Sequence, residues 1–397
     1  MKRSFQLAAF AAAIAAASAF AQQPPLKMGA INPFSGPMAQ YGAEVTRGFE
    51  MAADKVNASG GLLGRRVQIL NGDASNPQQA IQAVELLMNR DKVDFFAGSY
   101  TSGISNTASD AAMRFDRVYL ETIALSEDLT MRGLPNYLRT GPNAETFAIS
   151  TIDTLRDLVA PTVKKPFRDL KVWIEHEDSS YGTSIGQKQK RLLEAFGVKV
   201  VGIGSHSGRS VDLNDTVLRM KYAAPDVLLE TGYVADGNLL LKTMRDQGFK
   251  PMATVFIGTG DTPETLQSLG AAGVEGLLVI TYPRSDVSEK FAPGVKGFLD
   301  AYRAKYKSDP IQTQSLTSFV GTQILFEAIQ AAGSTEPSKV LAAAAKMDKP
   351  IGTYLNGFGV KFDKNFQNLR AMTTTVQWQD GKVVTVFPKT AVNPGVV

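Results

Sequence analysis

The chain is 397 residues long, with 42 basic and 38 acidic side chains, two histidines and no cysteine. A formal charge of +4 is too weak to indicate nucleic acid or an anionic membrane as partner. No disulfide can form, so stability must come from packing, and the length suffices for two domains with sizeable cores.

The first residues read as an export signal. Lys2 and Arg3 precede an apolar, alanine-rich run over 7–17, and Ala19-Phe20-Ala21 has the small-x-small form of a cleavage site. The run is too short for a membrane span. An ordinary N-terminal helix is the alternative, disfavoured by the order charge, apolar run, cleavage site. A signal peptide over 1–21 is expected, with a mature chain from Gln22 located in the periplasm. No cysteine stands at the cleavage point to carry a lipid anchor, no later stretch has transmembrane length, and the charge falls to +2 once Lys2 and Arg3 leave.

Strand, loop and helix then repeat. Strands are expected at 26–31, 67–70, 93–97 and 118–120. The helix after the first carries Tyr41, Val45, Phe49, Ala52 and Val56 on one apolar stripe, and the next carries Ile81, Val84, Leu87 and Met88. A break at 139–145, with Gly141-Pro142, precedes a second series with strands at 170–174, 198–203, 227–229, 254–257 and 277–280. Two long helices are expected near 290–306 and 314–332, a shorter one at 340–346, and strands at 372–378 and 383–386 around an Asp380-Gly381 hairpin turn. Short, continuously apolar strands alternating with helices indicate parallel sheets covered on both faces. The expected architecture is two doubly wound α/β lobes.

In open parallel sheets ligands sit beyond the carboxyl ends of the strands. The segments there are 32–36, 72–75, 98–103, 121–125, 176–182, 231–236 and 258–261, rich in Gly, Ser, Thr, Asn and Asp, with tyrosines at Tyr41, Tyr100, Tyr181 and Tyr233. Tyrosines supply flat walls with a polar tip. Gly98-Ser99-Tyr100-Thr101-Ser102-Gly103 follows a strand and opens a helix, so its N–H groups and hydroxyls suit an anion. A plain N-cap and turn is the competing reading of Ser99, Thr101 and Ser102. Tyr41, on the helix stripe, fits a core position equally.

His176 and His206 lack ligand spacing, so no metal site is expected, nor any cofactor. Gly204-Ser205-His206-Ser207-Gly208 fails the nucleophile-elbow pattern because its centre is histidine. No phosphate loop and no dinucleotide fingerprint occurs. Nothing in the chain calls for an enzyme.

From Leu26 to about Pro388 the chain resembles the periplasmic binding proteins of branched-chain amino-acid ABC transporters. The matching stretches are Phe34-Ser35-Gly36-Pro37-Met38-Ala39-Gln40-Tyr41-Gly42, Val56-Asn57-Ala58-Ser59-Gly60-Gly61-Leu62-Leu63-Gly64, Asp128-Leu129-Thr130, Leu138-Arg139-Thr140, Tyr181-Gly182 and Gly273-Val274-Glu275-Gly276-Leu277-Leu278-Val279. The resemblance implies the type I periplasmic fold: two doubly wound lobes joined by three crossovers, with solute in the cleft. It implies that Ser102 bonds a solute carboxylate and that Tyr41, Tyr181 and Tyr233 line the cleft. The family's second carboxylate-binding hydroxyl is replaced by Leu125, with Ile123 and Ala124 beside it. The acid that takes a solute ammonium aligns with Gly260, leaving Asp261 next door. Asp261, Asp236 and Glu121 are the acids left to hold an ammonium, and a more apolar first lobe suits an aromatic or aliphatic carboxylic acid. The family's occasional disulfide is absent, with Ser75 and Thr101 in its places.

Lobe one is expected to hold 26–142 and 282–349, and lobe two 143–281 and 350–390, with 391–397 as a tail. The expected function is a monomeric solute-binding component of an ABC importer that delivers a small molecule to an inner-membrane permease. A ligand sensor on the same fold is the first rival, opposed by the leader and by the lack of a DNA-binding or membrane module. A periplasmic hydrolase is the second, opposed by the missing nucleophile and metal sets. Protein exported by a Gram-negative host should lack residues 1–21. Intact-mass spectrometry of periplasmic material that reads from Met1 refutes the leader.

Overall fold

Apolar segments too short for helices pair side by side, and the amphipathic segments between them cover both faces. In this computed structural model, which describes residues 24–396, the expected leader lies outside the described residues. Strands β1 (Leu26–Asn32), β2 (Val67–Asp73), β3 (Phe95–Gly98), β4 (Tyr119–Glu121) and β5 (Tyr137–Arg139) form one sheet in the order β2-β1-β3-β4-β5, every pair parallel. A second sheet contains β6 (Lys171–Glu177), β7 (Lys199–His206), β8 (Val227–Thr231), β9 (Ala253–Ile257) and β10 (Leu278–Thr281). A two-stranded ribbon, β11 (Asp348–Lys349) with β12 (Val360–Lys361), stands apart. β13 (Thr374–Gln379) and β14 (Lys382–Phe387) then extend the second sheet to the order β14-β13-β10-β9-β8-β6-β7. β13 runs antiparallel to β10, and β14 antiparallel to β13.

The expected hairpin turn is present: Asp380 and Gly381 take φ of 50° and 71°, the left-handed pair that matches strand twist. β5 was not expected as a strand, since three residues just before the Gly-Pro break show no periodicity. No helix among the described residues is long and apolar enough to cross a membrane.

In the first lobe helix α1 (Ala39–Ala58) lies on α10 (Gln314–Ala332), reached after α9 (Val295–Tyr306) and followed by α11 (Pro337–Ala344). Phe49, Phe95, Phe298, Phe319 and Tyr302 are buried there. Of the intervening helices, α2 (Pro77–Leu86) and α3 (Ser102–Met113) follow β2 and β3, whereas α4 (Ala144–Thr154), after β5, packs with the second lobe, where Thr154 meets Thr375 of β13 at 2.7 Å. In the second lobe, α5 (Ser180–Ala195), α6 (Asn214–Ala223), α7 (Val234–Asp246) and α8 (Pro263–Leu269) follow β6, β7, β8 and β9. Trp173, Leu228 and Leu240 pack on one face of that sheet, and Ile174, Leu229 and Ile257 belong to the core on the other.

The chain passes between the sheets three times: after β5, after β10 and before β13. The last passage comes later than the expected boundary at residue 349. Phe366 O accepts the Arg139 N–H at 2.9 Å, Asn368 Nδ2 donates to Thr140 O at 3.0 Å, and the Tyr354 hydroxyl donates to Glu327 of α10 at 2.7 Å. The reason is that β5 is an edge strand whose buried backbone needs partners, and residues 359–370 supply them.

Gly48 sets the approach of α1 to α10. A Cβ there would lie 2.3 Å from Ser315 O and 2.7 Å from Ser318 Cβ. Gly48→Ala should lower the unfolding free energy by roughly 1–3 kcal/mol, the cost of overpacking, measured as a lower chemical-denaturation midpoint. An unchanged midpoint would mean that α10 moves freely.

Candidate functional site

Each sheet has one place where the strand order reverses. β1 lies between β2 and β3, and β6 between β7 and β8. Loops leaving the strands at such a reversal diverge and leave a crevice. Tyr41 follows β1 and Tyr100 follows β3, while Tyr181 follows β6 and Tyr233 follows β8. Tyr41 stacks on Tyr100 with ring centroids 5.4 Å apart, and Tyr181 lies 5.3 Å from Tyr233. The two pairs meet across the lobes, Tyr100 to Tyr233, at 6.4 Å.

Beside this contact is a cavity of about 30 Å³ lined by Tyr100, Ser102, Ile123, Ala124, Leu125, Tyr181, Tyr233, Gly258, Thr259, Tyr282 and Gln314. That volume is far below the roughly 300–1,000 Å³ of a ligand pocket, so the lobes are closed on each other. Direct bonds hold them so. Tyr41 and Gln40 of the first lobe both donate to the Glu264 carboxylate of the second, Gln40 at 2.6 Å, and Glu127 N–H donates to Ser184 Oγ at 3.0 Å.

Segment 122–126 forms one wall. It is buried and lacks regular pairing, so its polar backbone needs side-chain partners. Glu121 Oε1 accepts the N–H groups of Thr122, Ile123 and Ala124 at 2.8–2.9 Å, and Oε2 accepts the N–H of Ser99 at 2.8 Å and the hydroxyl of Ser105. Burial pushes the Glu121 carboxyl up to about 7, against the pull of those donors. Arg139, with no exposed surface, donates to Ala124 O at 3.0 Å, Ser126 O at 2.7 Å, Gln367 Oε1 at 2.5 Å and Thr130 Oγ1 at 3.3 Å. The Tyr282 hydroxyl donates to Ile123 O.

Seven of the twelve expected residues line the cavity: Tyr100, Ser102, Ile123, Ala124, Leu125, Tyr181 and Tyr233. Ser102 Oγ accepts the Ser126 N–H at 3.1 Å, which leaves its own proton to donate. It opens α3, whose first-turn N–H groups have no intrahelical acceptor. Tyr181 donates to Ile257 O at 2.7 Å, which fixes its ring against the cleft. Tyr41 lies behind Tyr100 rather than on the cavity.

The other four sit elsewhere. Ser99 faces inward, donating to Ile31 O at 2.7 Å. Thr101 is the N-cap of α3 and accepts the Ile104 N–H, as the competing reading had it. Asp236 accepts the Tyr233 N–H at 3.0 Å in the first turn of α7 and meets His206 Nε2 at 3.2 Å. Burial lowers the His206 pKa, but the bonds to Asp236 and Glu175 more than reverse this and push it up to about 10. Asp261 pairs with Arg284 at 3.2 Å. Glu121, Asp236 and Asp261 are thus all engaged within the protein. Gly258, Thr259, Tyr282 and Gln314 were not among the expected residues. The first two lie in a strand-end segment already singled out, and Tyr282 directly follows β10, whereas Gln314 carries no such signal.

Two doubly wound lobes closing on a cleft at their switch points define the class of type I periplasmic binding proteins. Comparison agrees. The sequence profile described as "Periplasmic binding protein" matches residues 25–382. The chain is 36% identical over 389 residues to the Leu/Ile/Val-binding protein homolog 7 of Brucella melitensis, covering 98% of this chain and 96% of that one. A leucine-binding protein of Thermotoga maritima superposes with a TM-score of 0.79 at 19% identity, over 93% of this chain and 99% of that one. A solute-binding protein of an ABC transporter from R. palustris, in complex with 4-hydroxybenzoate, superposes with a TM-score of 0.76 at 22% identity, over 91% of this chain and 96% of that one. The chain belongs to the periplasmic binding protein family.

Arg139→Met keeps much of the side-chain volume but strands the carbonyls of Ala124 and Ser126. Each orphaned acceptor costs about 1–3 kcal/mol, so unfolding free energy should drop by about 2–6 kcal/mol. A denaturant titration showing less than about 1 kcal/mol would mean that segment 122–126 is held by other means.

Proposed function

We propose that this protein captures a small aromatic carboxylic acid in the periplasm and delivers it to the inner-membrane permease of an ABC importer. The carrying observation is the cleft itself: two tyrosine pairs meet beside a hydroxyl at a helix N-terminus, and Glu121, Asp236 and Asp261 are already bound within the protein. Flat rings favour a planar solute between them. Ser102 and the first turn of α3 favour a carboxylate at that end. An α-ammonium would need an unpaired acid, and Glu121, Asp236 and Asp261 offer none.

The cavity is too small for such a solute while the lobes touch, so capture requires opening. Closure is then favoured by contacts that the solute makes with both lobes at once. The solved relative holding 4-hydroxybenzoate supports this solute class. The names of the curated relatives favour a second reading, an aliphatic amino acid such as leucine, isoleucine or valine.

Titration calorimetry with benzoate, 4-hydroxybenzoate and leucine separates the two. Binding of an aromatic acid and not of leucine is expected, and the reverse overturns the reading. Hydrogen bonds to a charged group contribute on the order of 1.5–3 kcal/mol. Ser102→Ala should therefore weaken binding roughly ten- to a hundred-fold. Tyr181→Ala should weaken it too, because that wall is completed only on closure. Unchanged affinity in both variants would mean that the solute lies elsewhere.

A further inference from the structure

Behind Tyr233, within the second lobe, three strand and helix ends converge on a group outside the lining of the cavity. His206 closes β7, Glu230 lies in β8, and Asp236 sits in the first turn of α7. All three are buried, and one donor atom from each lies within 4.8 Å of the others. His206 Nδ1 contacts Glu175 Oε1 at 3.0 Å, while Glu175 Oε2 accepts the Trp173 indole N–H at 3.0 Å. Trp173 holds Glu175, and Glu175 holds the imidazole with Nε2 turned to Asp236 Oδ2 at 3.2 Å. A carboxylate that takes the far ring N–H is the usual support of a metal-binding histidine.

Glu230 stands outside that bonded network. Its side chain is fully buried, and neither carboxylate oxygen has a hydrogen-bond partner. A Cβ added at Gly232 would meet Glu230 Oε1 and Asp236 Oδ2 at 2.5 Å each, so the two oxygens converge over that glycine. Two carboxylate oxygens and a ring nitrogen facing one another in a dry interior repel unless a proton or a cation lies among them.

We propose that His206, Glu230 and Asp236 bind one divalent transition-metal ion of the zinc class, with Glu175 as the positioning residue. Zinc takes nitrogen and carboxylate oxygen in small coordination numbers, whereas calcium and magnesium demand six or more oxygens. Donor atoms no more than 4.8 Å apart leave a point within about 2.8 Å of all three, so bonding distance is reached by inward shifts of roughly 0.7 Å. The ion replaces the protons that otherwise lie in these contacts. Because Asp236 also accepts the Tyr233 N–H, it would brace the tyrosine wall from behind.

The test uses the mature chain, stripped with a chelator and titrated with zinc chloride by calorimetry at mildly alkaline pH. Cobalt(II) absorption reports the coordination. One equivalent per chain is expected, with the visible bands of a cobalt site of low coordination number and no uptake of magnesium. Glu230→Gln, nearly isosteric, should weaken uptake about ten-fold or more. Glu175→Gln should weaken it about ten- to a hundred-fold, with the circular dichroism of the wild type. His206→Ala should abolish it, and if that variant fails to fold, Glu230→Gln decides. Folded wild type that takes up no zinc, or uptake unchanged in Glu230→Gln, overturns the site. Solute titrations are not needed for this result, so it stands or falls apart from the solute assignment.

Discussion

Segment 122–126 must be buried without being a helix or a strand, and two ionisable side chains make that possible. Glu121 gathers its N–H groups and Arg139 its carbonyls, one from β4 and the other from β5, neighbouring strands paired at that residue. A peptide turn held from both sides can present Ile123, Ala124 and Leu125 to the cleft as a rigid wall. Apolar replacements at either position could fill the same space but would not serve the six backbone atoms that these two side chains hold away from water. The apolar character of the first lobe's wall thus depends on a strongly polar scaffold one layer beneath it.

The tyrosines obey a different constraint. Each pair occupies the crevice that strand reversal opens in its own sheet, so the position of the rings follows from topology rather than from local turns. Closure brings the crevices mouth to mouth, and Glu264 receives Tyr41 and Gln40 from the opposite lobe. The latch is peripheral and the rings are central. A molecule between the rings therefore competes with ring-to-ring contact while leaving the latch available.

Much of this was legible in the sequence. Buried parallel strands announce themselves as short apolar runs, and the strand-end rule picked out Tyr100, Ser102, Tyr181 and Tyr233. Side-chain direction inside a loop was not legible: Ser99, Thr101 and Ser102 stand close together, yet one faces the sheet, one caps the helix and one faces the cavity. Long-range pairing was hidden as well. Asp261 meets Arg284 and Asp236 meets His206 only because separate strands end at the same level. Gln314 reaches the cavity from the start of a helix 314–332 that the sequence showed clearly, but nothing local says where that helix points. β5 and the β11–β12 ribbon are too short for any period to register.

The late return of the chain has a bearing on synthesis. β10 remains an open edge until residues 374–379 arrive, and the face that α1 turns to α10 stays uncovered until residues 314–332 have been made. No N-terminal fragment much shorter than the whole can bury its apolar surface, because contacts distant in sequence must wait for their second partner. A nascent chain built on this plan leaves both lobes incomplete until its last third has emerged. That delay keeps it threadable, the condition under which a polypeptide can be passed through a narrow translocation channel before it gains a shape too wide to follow.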